Sequence, residues 1–280
     1  MLIILIGIIH NTNMEVRDAQ PNDKPVVLDF CKNTFSWGDY IADVWDSWIL
    51  QGNLFVAVEG DVPIGLYHLV FTDNRQAWIE GIRIHPNYRR KGYGRRIISH
   101  CESITKSTTI RMIIESENIS SINLAQSIGY RVEDKWQLYA LVPKKETSTV
   151  VVAADIKQAA ELISSNTYAE SWKWLPLEKS DLEELIKQKR VLLSIQNDSV
   201  LAIGIWNKSE NFANVLQLGF INGSKEGMLD ILRFIQNKGY ELHSDRIQVF
   251  SQEKNSLEME SLTKRSFFYL MRKDLPEKNL

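Results

Sequence analysis

Beyond Met14 the spacing of apolar residues switches repeatedly between a helical and a strand-like period, which predicts an alternating α/β chain. A short strand at Glu15–Ala19 leads into a helix over Lys24–Thr34, where Val27, Leu28 and Cys31 share a face. A second helix carries Ile41, Val44, Trp45, Trp48 and Ile49 on one side, with Asp39, Asp43 and Asp46 mostly off it. Strands are expected at Leu54–Glu59, Ile64–Thr72 and Ala77–Ile84, the first two joined by a Gly60-Asp61 hairpin turn. A basic, glycine-punctuated turn from Arg89 to Gly94 then enters a helix whose buried stripe is Tyr93, Ile97, Cys101 and Ile104. A strand at Ile110–Glu115, a helix at Ser120–Ile128 and a strand at Trp136–Val142 complete this half, and Pro143 to Ser148 reads as a linker.

The second half replays that order. Val150–Ala153 reads as a strand, Lys157–Ser164 and Ser180–Lys189 as helices, and Val191–Gln196, Val200–Trp206 and Val215–Ile221 as strands. A helix over Met228–Lys238, a strand at Ile247–Ser251, a helix at Leu257–Thr263 and a strand at Phe267–Met271 follow. Residue identities hardly recur, but the sequence of elements does, which points to a duplicated unit. The expected organisation is an extension over residues 1–13, a first domain over 14–145 and a second over 149–280.

Composition narrows the class. The chain has 280 residues, 44% hydrophobic and 24% charged, with a net charge of -2. A slightly acidic chain of this kind gives no global attraction to nucleic acid or anionic membrane, so neither is expected as a partner. The two cysteines, Cys31 and Cys101, have no metal-ligand spacing and cannot build a disulfide framework, which suits a reducing cytoplasm, and no metal is expected. The apolar run Met1–Ile9 is too short to span a bilayer and lacks the basic start and cleavage site of a signal peptide. Translation from Met14 would leave it outside the fold.

Against that acidic background, the segment from Arg83 to Arg96 holds six Arg or Lys side chains and no acid. A strand, Ile82-Arg83-Ile84, runs into a loop in which Gly92 and Gly94 open an amphipathic helix. Unpaired backbone N–H groups converge at such a helix start, the helix dipole adds positive potential, and glycine lets a bulky anion approach the backbone. The combination suits a pyrophosphate. Neither the P-loop G-x-x-x-x-G-K-[ST] nor the dinucleotide G-x-G-x-x-G is present.

At this point the sequence resembles the GNAT acyltransferase superfamily, whose signature is R/Q-x-x-G-x-G/A at a strand-to-helix turn after a V/I-x-P-x-Y/F stretch. Arg89-x-x-Gly92-x-Gly94 and Ile84-His85-Pro86-Asn87-Tyr88 fit both parts. Downstream, Asn118 to Tyr130 resembles N-x-x-[AS]-x-x-L-Y-x-x-x-G-[FY]. The resemblance covers about Met14 to Val142 and implies a mixed central sheet flanked by helices, binding acetyl-CoA. It implies that the backbone of Ile82 and Ile84, with Arg83 between them, pairs with the pantetheine arm. It further implies that the amides of Arg90, Lys91, Gly92, Tyr93, Gly94 and Arg95 hold the pyrophosphate, with charge from Arg89, Arg90 and Lys91, and that Asn118 lies near the reactive end.

The resemblance also implies an N-acetyltransferase acting on an amine of a small molecule, peptide or protein. Glu80, two residues before Ile82 and on the same strand face, is the first candidate base, and Glu115 the second. The family commonly has a tyrosine after the leucine of its second motif to protonate the departing thiolate. Ala125 stands there, leaving Tyr130 and Tyr139 as substitutes and admitting an alternative, a module that senses acetyl-CoA without efficient turnover. Asp39, Asp43 and Asp46 could draw in a cationic amine, and Trp37, Trp45, Trp48, Trp172, Trp174 and Trp206 could wall an acceptor groove, solvated and core positions being the alternatives. The second half lacks the signature, as Gly219 to Gly227 has neither its arginines nor its glycine spacing, so it is expected to be degenerate.

Overall fold

The structure, a computed structural model, describes residues 14–34, 38–72 and 76–276; the expected extension over 1–13 and Trp37 lie outside them. These residues form two compact units, one ending at Ser107 and the other beginning at Thr108.

In the first unit β1 (Met14–Asp18), β2 (Leu54–Glu59), β3 (Val62–Thr72) and β4 (Gln76–Ile84) pair antiparallel in chain order. Three helices accompany them: α1 (Lys24–Cys31), α2 (Ile41–Gln51) and α3 (Tyr93–Ile104). The apolar stripes of α1 and α2 put Val27, Phe30, Ile41, Val44, Trp45 and Trp48 into one core with Leu54, Val56, Val58 and Leu66 of the sheet. The chain enters α1 through a short 3-10 turn whose Asp23 carboxylate accepts from the Gln20 N–H at 2.8 Å and from both terminal nitrogens of Arg17.

The second unit contains β5 (Thr109–Glu115), α4 (Ile119–Ser127), β6 (Arg131–Leu141), β7 (Val151–Val152), α5 (Ile156–Ala160), β8 (Thr167–Glu170), β9 (Lys173–Pro176) and α6 (Lys179–Lys187). It continues with β10 (Val191–Gln196), β11 (Ser199–Lys208), β12 (Val215–Gly223), α7 (Lys225–Glu241), β13 (Arg246–Gln252) and β14 (Leu262–Asp274). Its strands lie in the order β5-β14-β6-β13-β12-β11-β10-β7, antiparallel except for the β12–β13 pair. α7 packs Ile231, Leu232 and Ile235 onto Leu192, Ala202, Leu216 and Leu218.

The element order of the two halves recurs, but their last strands are exchanged. β14, the end of the second half, pairs on one edge with β5 (Phe268 opposite Glu115) and on the other with β6 (Phe268 opposite Trp136). β6, the end of the first half, pairs in turn with β13. Compactness therefore does not break at Pro143–Ser148, where the sequence suggested a linker. That segment lies along α7: the Lys144 N–H donates to the Gln236 carbonyl, and Gln236 Nε2 donates to the Val142 carbonyl. The helix expected over Leu257–Thr263 is not formed. Residues from 262 are strand, because both edges of β14 are taken up in ladders. The sequence also missed the hairpin β8–β9.

A charge network ties β14 in place. Arg111 of β5 grips Glu133 of β6 through two bonds of 2.6 and 2.9 Å, reaching past the intervening strand. Arg272 of β14 adds a third bond to Glu133 at 2.9 Å and one to Asp274, which Arg131 also holds. Burial works against ionisation of Glu133, but the two guanidiniums override it and hold the carboxyl below the usual range.

Two outcomes are expected. Fragments 14–145 and 149–276 made separately should give no cooperative thermal transition, because each lacks the strand that closes its sheet, whereas co-expression should yield a stable complex. A cooperative transition in either fragment alone would contradict the exchange. Glu133→Gln should lower stability at pH 7 by on the order of 3 kcal/mol, since it leaves two guanidiniums short of their anion. Because the folded-state carboxyl titrates below its unfolded value of about 4.3, the wild-type contribution is complete above that pH and is lost as pH falls through the lower value. The gap between wild type and variant in denaturant melts should therefore be constant above about pH 4.3 and shrink as the pH falls below it.

Candidate functional site

The basic turn is built as an open anion cradle. At the end of β4 the His85 N–H donates to the Ile64 carbonyl at 2.8 Å, and the His85 ring accepts from the Asn87 N–H to close a short 3-10 turn over Pro86–Tyr88. Arg90 and Gly92 then adopt left-handed conformations, φ 65° and 83°, which swing the chain into α3. Gly92 caps that helix without a side-chain acceptor, and the first backbone bond runs from the Arg96 N–H to the Gly92 carbonyl at 3.2 Å. The N–H groups of the first turn thus point ahead of the helix with no acceptor inside it. A Cβ placed on Gly92 would meet nothing within 4 Å, so the space before the helix is open.

The cations stand around that space. Arg89, Arg90, Lys91 and Arg95 are exposed; Arg89 Nε is steered by the Ile84 carbonyl at 3.0 Å, and Lys91 sits 4.8 Å over the Tyr88 ring. Tyr93 is buried and donates to Glu59 at 2.7 Å, fixing the helix start to β2, so any contact it makes with an anion comes from its backbone. Arg83 likewise has no side chain to offer. Its guanidinium is bound bidentately by Asp39, at 2.7 and 3.0 Å, and lies 5.2 Å from the Tyr40 ring. Burial opposes its charge, but Tyr40 and Asp39 together hold it firmly protonated.

Beside the cradle, β4 carries a bulge. Leu66 faces Arg83 and His68 faces Glu80, so Gly81 and Ile82 together oppose Tyr67. Gly81 has φ 66°, and a Cβ there would come within 2.7 Å of the Trp48 ring, so only glycine fits. Trp48 stacks on His68 with ring centroids 4.5 Å apart and planes at 18°. His68, only 1% exposed, places Nδ1 2.8 Å from Glu80 Oε1 and Nε2 3.1 Å from the Gly52 carbonyl. Glu80, Ile82, Arg83, Ile84 and the turn therefore belong to one unit and one stretch of backbone. His68 was missed in the sequence because its partner is set by strand register; the bulge was signalled by a glycine inside a strand.

The remaining candidates lie in the second unit. Glu115 ends β5, half-buried, and lines a depression of about 760 Å³ with Glu117, Tyr139, Lys264, Arg265 and Phe267. Asn118 caps α4, its side-chain oxygen accepting from the Ser121 N–H at 3.2 Å, which leaves its amide nitrogen to donate. Ala125 is 1% exposed, so a tyrosine there would overpack the helix rather than supply an acid. Tyr130 and Tyr139 are buried as well, and burial raises the Tyr139 phenol. Among the described tryptophans, Trp45, Trp48 and Trp174 are core, Trp172 packs edge-on against Phe250 and Phe268, and Trp206 is half-buried under the Lys238 ammonium, 4.3 Å from its ring. Asp39 is taken by Arg83 and Asp46 by Lys24, so neither is a free anion.

The second half repeats the bulge without the cradle. Gly219 is the extra residue of β12 against β11, but a Cβ there would fall 1.7 Å from the Ala169 carbonyl oxygen, so the β8–β9 hairpin fills the place. Ser224 alone separates β12 from α7, and its hydroxyl caps that helix by accepting from the Gly227 N–H at 3.1 Å. No counterpart of α4 stands between β13 and β14. Among the described residues no group of three or more His, Cys, Asp or Glu could hold a metal, and no helix is long and apolar enough to cross a membrane.

An uncapped helix start with exposed cations beside it, following a bulged strand, offers an anion such as a phosphate a place to sit. Residues 23–130 match the Acetyltransferase (GNAT) family. The uncharacterized N-acetyltransferase YfmK of Bacillus subtilis is 30% identical over 98 residues, 32% of this chain; the chain spans 65% of that relative's length. The whole fold is similar to a GCN5-related N-acetyltransferase from Sphaerobacter thermophilus (TM-score 0.62, 14% identity, 95% of this chain and 98% of that one). It is also similar to a tandem GNAT protein from the clavulanic acid biosynthesis pathway (TM-score 0.56, 13% identity, 95% and 100%).

Gly92→Glu should abolish acetyl-CoA binding in a chain that still folds, since the new side chain enters open space and its left-handed backbone costs only about 1–2 kcal/mol. Calorimetric titration of the wild type should give one site per chain. Unchanged affinity in the variant, or two sites in the wild type, would contradict the assignment.

Proposed function

We propose that the chain is an acetyl-CoA-dependent N-acetyltransferase with one working site, formed by the domain over residues 14–145, and that residues 149–280 are a degenerate copy. The observation that carries this reading is the left-handed pair Arg90 and Gly92 opening an uncapped helix into empty space. The amides of Arg90 to Arg95 hold the pyrophosphate with Arg89 and Lys91, and Ile82 and Ile84 guide the pantetheine arm by backbone bonds. Acetyl-CoA, when bound, supplies an activated thioester.

Glu80 accepts the proton of the acceptor amine on Oε2, the oxygen His68 leaves open. A backbone N–H at the Gly81–Ile82 bulge faces the charge that develops on the acetyl oxygen. The departing thiolate, with an ordinary pKa of about 8.5, needs no tyrosine at position 125. Glu115 stands second to Glu80 as base. The acceptor is a small-molecule or peptide amine.

Release of CoA from acetyl-CoA should be measured against a panel of amines, amino acids and peptides. Glu80→Gln should lower kcat by roughly 10²–10³-fold with acetyl-CoA affinity unchanged. Tight binding without turnover on any amine would instead mark a sensor of acetyl-CoA.

A further inference from the structure

The depression beside the end of β5 is lined by residues of the second unit alone, and a bulge in β14 shapes it. Lys264 faces Tyr139 and Phe267 faces Gln137, so Arg265 and Ser266 together oppose Leu138. On a regular strand, residues three apart point to opposite faces. The extra residue restores Lys264 and Phe267 to one face, which Tyr139 and Gln137 share. Gln137, 4% exposed, pins the bulge by donating its amide nitrogen to the carbonyls of Leu138, Arg265 and Ser266 at 2.9, 2.9 and 3.0 Å. Carbonyls that the bulge takes out of the ladder are thereby satisfied, and the shape is fixed by the chain itself.

Five charged side chains line this space. Glu253 is paired with Lys135 at 3.2 Å. The side chains of the other four, Glu115 and Glu117 on one side and Lys264 and Arg265 at the bulge, have no hydrogen-bond or ion-pair partner among the described residues. Two anions and two cations thus share one depression without meeting, because β14 spaces them. The Ser116 N–H donates to the Phe267 carbonyl at 2.8 Å, which sets the carboxylate pair level with Phe267. Arg265 and Lys264 lie two and three residues earlier on the strand, about 7–10 Å away at the usual rise of about 3.3 Å per residue.

We propose that this depression binds a short peptide with both termini free, its ammonium at Glu115 and Glu117 and its carboxylate at Lys264 and Arg265. A simple cation or anion would meet one pair of charges and leave the other unmet, whereas a zwitterion of the right span meets both. An extended chain covers about 3.3–3.6 Å per residue, so two or three residues bridge the gap and a single amino acid does not. The guanidinium of Arg265 suits a carboxylate, which it can grip through two parallel bonds. Tyr139 and Phe267 add aromatic surface to the lining, and the volume of about 760 Å³ lies within the range of about 300–1,000 Å³ usual for small-molecule sites. Every group in this site belongs to the second unit, so it stands or falls apart from the acetyltransferase reading.

Calorimetric titration of the full chain with trialanine, up to millimolar peptide, tests the site. Trialanine with free termini should bind, and N-acetylation or C-terminal amidation should each weaken it by roughly 10-fold or more, the scale of a lost charge-assisted contact. Alanine alone should bind no better than the capped peptides. Lys264→Gln combined with Arg265→Gln should weaken trialanine but leave its amide unaffected, and Glu115→Gln combined with Glu117→Gln should weaken trialanine but leave its N-acetyl form unaffected. No binding of trialanine, equal affinity for free and capped forms, equal affinity for alanine, or variants that weaken free and capped peptides alike would overturn the proposal. Should either variant not fold, the capped series on the wild type decides.

Discussion

The second unit depends on one strand. β14 lies between β5 and β6, so the last residues of the chain complete a ladder begun more than half the sequence earlier. A strand placed centrally satisfies donors and acceptors on both edges, and removing it would bare two rows of backbone groups at once. Arg111, Glu133 and Arg272 reinforce the arrangement with charge-assisted bonds that link all three strands. The cost of such a design is a long loop to close before the contact forms, which favours cooperative assembly of the two halves over independent folding.

The two halves share an order of elements but differ where the first opens its cradle. Both carry a bulge on the strand that precedes the amphipathic helix, at Gly81 and Gly219. In the first half, residues 85–92 lift the helix start away from the strand and leave its amides facing open space. In the second, Ser224 joins strand to helix directly, and Gly227 packs so tightly on Leu201 and Ala202 that a Cβ would approach to 2.8 Å. The hairpin β8–β9 then occupies the groove, held by Ser171, whose N–H donates to Gln217 at 2.7 Å. What is open space in the first half is packing in the second.

In the first unit, charge is handled by pairing within the fold. Arg89, Arg90, Lys91 and Arg95 are exposed near the helix start, while Arg83 is withdrawn into a buried pair with Asp39.

The sequence by itself determined the local pieces: the period of the apolar residues placed nearly every strand and helix, and Arg89-x-x-Gly92-x-Gly94 marked the cradle, because backbone conformation and helix-start chemistry are set by neighbours in the chain. Gly81, a glycine inside a strand, went unread as a bulge, and only the pairing of β3 with β4 shows what it makes room for. Tertiary structure decided everything that depends on partners distant in sequence. Which strand completes each sheet, that Arg83 serves Asp39 rather than a phosphate, that His68 meets Glu80, and that Ala125 is enclosed all follow from register and packing. The physical reason is the same in each case. A side chain's hydrogen-bonding capacity is written in its type, but the partner that uses it is whichever group the fold brings within about 3 Å.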